Sequence, residues 1–146
     1  MKHIVTIDFE TFYDSGYGLR KYTTEHYIRD PQFQVIGFAI KVDDSSTKWY
    51  SGTHEELQEV LNTYKIHECG LVERYNLGKK GTEVLDAKGK RLEDFLPHEL
   101  HSYGGYCKND VELTAKLFAI LYHSFPLEEL KLIDLTLRMF IQPLLS

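Results

Sequence analysis

The stretch His3-Ile4-Val5-Thr6-Ile7-Asp8-Phe9-Glu10-Thr11 sets the reading of the whole chain. Up to Ile7 it is β-branched and apolar, long enough for a buried strand, and it then runs into Asp8-Phe9-Glu10-Thr11. A strand repeats every two residues, so Asp8 and Glu10 point to the same side of whatever sheet it joins. Two carboxylates side by side repel each other unless a cation lies between them, and oxygen donors in that arrangement suit Mg²⁺ or Mn²⁺. A D-x-E pair at a strand end also occurs as a plain solvated turn, so spacing alone leaves both readings open.

The segments that follow build a sheet and then helices around this strand. Tyr13 to Arg29 reads as a polar, aromatic, glycine-containing loop with one helical turn. Phe33–Val42 is strand-like, Asp43-Asp44-Ser45-Ser46 is turn chemistry, and Thr47–Ser51 returns as its partner, giving a hairpin that continues the first strand's sheet. Thr53-His54-Glu55-Glu56 is a capping box that opens a helix to about Tyr64, with Leu57, Val60 and Leu61 at helical spacing. Leu71, Val72 and Tyr75 predict a short helix closed by Gly78, and Lys79–Asp94 a surface loop. Pro97 opens a long helix to about Tyr122, whose apolar set includes Tyr103, Tyr106, Cys107 and Val111; Gly104-Gly105 weakens it by about 1 kcal/mol per glycine relative to alanine. Pro126 opens a last helix carrying Leu130, Ile133, Leu137 and Phe140. Strands first and helices after, with no repeat and no linker, predict one α/β domain over residues 1–146.

Composition narrows the class. Apolar residues at 42% and charged residues at 27% are ordinary for a globular domain, and no apolar run approaches a membrane span. The N-terminus does not read as a signal peptide, because acidic residues interrupt it at once. Cys69 and Cys107 then read as free thiols in a reducing, cytoplasmic setting. The net charge of −5 argues against a protein that coats nucleic acid, but not against a nuclease, since a carboxylate site is itself negative until a cation binds.

Tyr106 and Asp110 are four apart on the long helix and share a face, where an acid can hold metal while a phenol orients a water or phosphate oxygen. An amphipathic helix with a packed Tyr and an exposed Asp gives the same spacing. Together, however, Asp8-Phe9-Glu10-Thr11 resembles the first motif of the DEDD 3′–5′ exonucleases, and Tyr106-Cys107-Lys108-Asn109-Asp110 resembles the third motif in its tyrosine form. The segments Leu77 to Val84, Gly89 to Phe95 and Ile133 to Phe140 are similar to the proofreading domain of phage-type family A DNA polymerases.

The resemblance implies an RNase H-like exonuclease fold, a mixed sheet flanked by helices, and two-metal hydrolysis with Mg²⁺ or Mn²⁺ that removes nucleotides from a single-stranded DNA 3′ end. It implies that Asp8 bridges both cations, that Glu10 and Asp110 complete the site of the water-activating one, that Tyr106 orients the water, and that Phe9 and Thr11 contact substrate. It also implies a proofreading role in a bacterial or phage-infected cell, alongside a DNA polymerase. The family's second motif, a His-Asn-x-x-Phe-Asp-like segment that supplies the fourth acid, is not found, and no Asp occurs between Asp44 and Asp86. The chain reads as internally shortened around 65–70, where Glu68 is the nearest acid, and no polymerase domain follows. The expectations are therefore an exonuclease domain or, as the alternative, an impaired remnant that binds nucleic acid or a polymerase, with self-association to cover apolar surface left by the missing segment.

Overall fold

A computed structural model describes residues 3–66, 71–74 and 86–121, with 124 and 128; for 71–74 it describes the backbone alone. The first strand, β1, runs Ile4–Thr11, longer than the apolar run, because Asp8 and Glu10 stay in the ladder. A six-residue helix α1, Thr24–Arg29, follows, with Thr23 Oγ1 accepting from the His26 N–H. The hairpin of β2, Val35–Val42, and β3, Lys48–Ser51, comes next, and then helix α2, His54–Tyr64. The capping box is formed as the sequence predicts. Glu56 N–H donates to Thr53 Oγ1 at 3.2 Å, and Thr53 N–H donates to Glu56 Oε2 at 2.9 Å.

Leu71–Arg74 is not the expected helix but a strand, β4, parallel to β1 with Ile4 opposite Leu71 and Ile7 opposite Arg74. A four-residue segment, Leu-Val-Glu-Arg, is too short to resolve a period, and an open edge of β1 offers it a ladder of hydrogen bonds. The order is β3-β2-β1-β4, antiparallel across the first three and parallel at β4, with α2 as the crossover. Leu92–Asp94 forms one 3-10 turn inside the expected loop. Helix α3, Pro97–Leu121, closes the described part of the chain. Glu99 turns back at its start to accept from the Leu96 N–H at 2.9 Å. The helix expected after Pro126 lies outside the described residues, as do Glu68 and Gly78. The result is a mixed α/β domain.

Period-two alternation gives the sheet two different faces. Val5, Ile7 and Phe9 of β1 join Phe38 and Ile40 of β2 and are covered by Leu57 and Leu61 of α2 and by Ile66. On the other face, Ala39 packs beneath Cys107 and Val111 of α3, with Trp49 of β3 beside them. A third cluster, including Phe12, Tyr17, Tyr27, Ile36, Phe95 and Tyr103, ties the end of β1 to the start of α3. There, Tyr17 Oη donates to the Tyr27 carbonyl, and the Arg91 guanidinium lies 3.6 Å from the Phe12 ring centre.

The central strands β1 and β2 are buried rather than exposed. Among the described residues, the exposed large apolar side chains are Leu19, Leu96, Tyr106 and, on the second half of α3, Leu113, Leu117, Ile120 and Leu121. None of the described helices is long and apolar enough to cross a membrane.

Candidate metal centre

The site lies on the face of β1 that α3 covers. Asp8 is 3% exposed and stands opposite Ala39 in the ladder, and Glu10 stands opposite Gly37. Both partners are small, and the Trp49 indole packs into the space that Gly37 leaves. A bulge between Glu10 and Thr11 then ends the regular pairing.

Trp49 brings α3 down onto this floor. A Cβ on Gly37 would sit inside its indole, and so would one on Gly104. Gly104 is therefore the point where the helix crosses the sheet closely, whereas a Cβ on Gly105 meets nothing within 4 Å. Gly104, which weakens the helix in isolation, is what lets α3 lower Tyr103 and Cys107 toward β1.

Three donors meet beneath this crossing. Ligand atoms of Asp8, Glu10 and Cys107 all lie within 4.8 Å of one another. The Cys107 thiol is fully buried, 3.5 Å from the Asp8 carbonyl oxygen and 3.8 Å from Asp8 Oδ2. Burial pushes the Glu10 carboxyl up to about 7; the Tyr103 hydroxyl pulls the other way, and the negative charge of Asp110 adds to the rise. Asp110 is raised by burial as well. Burial, and then the charges of Asp8 and Glu10, push the Cys107 thiol well above its usual range. Tyr103 is raised by burial and by Glu10.

Every shift points the same way: negative charge at this spot is unfavourable as the protein stands. Among the described residues no Lys, Arg or His forms an ion pair with Glu10 or Asp110. A divalent cation would supply a counter-charge here, and carboxylate oxygens are the donors a hard cation takes. The residues present therefore fit such an ion.

Asp8 and Glu10 come together as their spacing predicts, and Asp110 lies near enough for its charge to act on Glu10. Tyr106 is 42% exposed, one turn before Asp110 on α3. Phe9 is not on this face. Its side chain is buried in the α2-side core, 5.7 Å from the Phe38 ring, on the face opposite the carboxylates. Thr11 lies past the bulge, where its Oγ1 accepts from Tyr27 Oη at 2.7 Å.

By their spacing Tyr103 and Cys107 belong to the helix's apolar set, but both face the acids. Positions 103, 107 and 110 are spaced i, i+4 and i+7, the pattern of one helix face, and that was the available signal.

No protein-family model matches the chain, and neither does any curated protein or solved structure.

Proposed function

We propose that this chain is a metal-dependent 3′–5′ exonuclease domain with an RNase H-like fold, acting on single-stranded DNA ends in proofreading. One observation carries the reading: Asp8 and Glu10 meet the Cys107–Asp110 turn of α3, although Asp8 and Cys107 are 99 positions apart. The sheet order β3-β2-β1-β4, with β4 parallel to β1, supports the fold assignment.

Asp8, Glu10 and Asp110 are the residues that would hold Mg²⁺ or Mn²⁺. When bound, such ions supply an activated water and offset the charge that develops on the phosphate. The protein's own contribution is positional. The β1 ladder fixes the carboxylate pair, and α3, seated by Gly104 on Trp49, carries Asp110 near enough for its charge to act on Glu10. Tyr106 stands exposed one turn away, where its hydroxyl can orient a water by hydrogen bonding. The phosphodiester of a 3′ end approaches a net negative protein, so binding itself depends on the cation.

A second reading has one observation in its favour. Among the described residues, the donor that joins the two carboxylates is a thiol and not a fourth carboxylate. An impaired domain that binds single-stranded DNA, or a polymerase, without efficient cleavage fits that donor set. Loss of supporting ligands commonly costs about 10–100-fold in activity.

Single-turnover digestion of a 3′-labelled single strand tests the proposal. Slow shortening is expected, faster with Mn²⁺ than Mg²⁺, and lost in Asp110→Ala. No shortening with either ion, but retained binding of the strand, favours the impaired domain. Shortening that is unchanged in Asp110→Ala overturns the site.

A further inference from the structure

We propose that the exposed apolar stripe on the second half of α3 is a docking surface for this chain's own residues 126–146, laid antiparallel along the helix so that their far end comes level with Tyr106. The surface is separate from the carboxylate site, and only that last clause touches the nuclease reading.

Leu113, Leu117 and Ile120 stand at i, i+4 and i+7 on α3, a single seam of a helix, with Leu121 beside them. All four are exposed, Ile120 to 70%. Val111 and Thr114, on the other side of the same turns, are buried against the sheet at 1% and 3%. A surface helix ordinarily carries one apolar face. This half of α3 carries two, and the second calls for a cover.

The chain supplies one at that end of the helix. Four residues, 122–125, separate Leu121 from Pro126, a connection of the length that joins antiparallel helices. Beyond it Leu130, Ile133, Leu137 and Phe140 recur at i, i+3, i+7 and i+10, a second seam of helical period. Glu128, opposite that seam in the period, is helical and exposed. The two seams also match in height. At a rise of about 1.5 Å per residue, Leu130 lies about 6 Å beyond Pro126, and Leu117 about 6 Å before Leu121. On the same scale Ile133 and Leu113 stand at about 11 and 12 Å, and Phe140 and Tyr106 at about 21 and 22 Å.

A second copy of the chain suits the stripe less well. The stripe is about two turns long, far short of the roughly 1,200 Å² that a stable interface between separate chains buries. A segment tethered by four residues meets it at an effective concentration of about millimolar or more, with no such demand on area.

Paired cysteines test the docking in the full chain, on a Cys69→Ser background that leaves Cys107, which is buried, as the remaining native thiol. Leu117→Cys with Leu130→Cys puts one thiol on each seam at the same height. Leu117→Cys with Glu128→Cys puts the second thiol on the far side of the segment. Under mild oxidation the first pair is expected to close within one chain about tenfold or more faster than the second, because docking concentrates only the facing positions. Non-reducing gels separate intrachain from interchain products, and peptide mass mapping identifies the bond. Equal rates for the two pairs, or no intrachain bond in the first, overturn the proposal. A mainly interchain product gives the stripe to a second copy and overturns it too. If circular dichroism shows the first pair unfolded, Leu113→Cys with Ile133→Cys is read in its place, against Leu113→Cys with Lys131→Cys. No arm needs metal or DNA, so failure here leaves the nuclease reading to its own digestion test, and failure there leaves the docking standing.

Discussion

The two faces of β1 carry opposite chemistry from one eight-residue strand. Toward α2 lie Val5, Ile7 and Phe9, packed with Phe38, Ile40, Leu57 and Leu61 in a dry apolar layer. Toward α3 lie Asp8 and Glu10, on a floor of Gly37 and Ala39 under Cys107 and Tyr103. The first face gains free energy by excluding water. The second buries groups whose charged forms are disfavoured there. Stability and the site are thus divided by odd and even positions, and a substitution should move one while sparing the other.

The largest expected effect is on the α2 side. Phe38→Ala should lower unfolding free energy by about 3–5 kcal/mol in urea titrations, as a large buried ring leaves a cavity. A loss below 1 kcal/mol would show that this face is not the core.

On the α3 side the sign reverses. Glu10 is raised from 4.5 to about 7, so the folded protein holds a proton there that the unfolded chain has released. Its destabilising contribution is absent below pH 4.5, grows as pH rises, and is complete above about 7. In chelator, Glu10→Gln should match the wild type near pH 4.5 and exceed it by up to about 3 kcal/mol above pH 7. Parallel stability–pH curves for the two proteins would remove Glu10 from the buried site.

The seating of α3 gives a finer test. Gly104→Ala should cost about 1–3 kcal/mol by forcing a methyl into Trp49, despite its gain in helix propensity. Gly105→Ala, with open space around it, should stabilise by up to about 1 kcal/mol. Equal effects of the same sign in thermal unfolding would mean that Trp49 does not set the crossing.

The sequence made much of the polar face legible, because its signals are local. Asp8 and Glu10 follow from strand periodicity, and Thr53 with Glu56 from the capping box. Asp110 joined them only through a resemblance in motif, and its nearness to Glu10 depends on how α3 crosses the sheet. What was not legible depends on partners distant in sequence. Leu71–Arg74 is a strand only because β1 offers an edge, and four residues cannot announce that. Gly104 reads as a helix defect until Trp49 occupies its missing side chain. Tyr103 and Cys107 read as core residues because they fall in the helix's apolar set; that they are buried against carboxylates is a tertiary fact. Phe9 shows the limit of a motif resemblance, since the strand's alternation turns its side chain to the α2-side core, away from the carboxylates.

The carboxylates of β1 and α3 are proposed to hold a divalent cation. Mn²⁺ titration by electron paramagnetic resonance on the wild type, Asp8→Asn and Asp110→Asn tests it most directly, because it reads binding without requiring catalysis. One tightly bound Mn²⁺ per chain is predicted for the wild type, with binding lost in Asp8→Asn and clearly weakened in Asp110→Asn. Wild-type binding preserved in Asp8→Asn, or no binding by the wild type at millimolar Mn²⁺, would contradict the account.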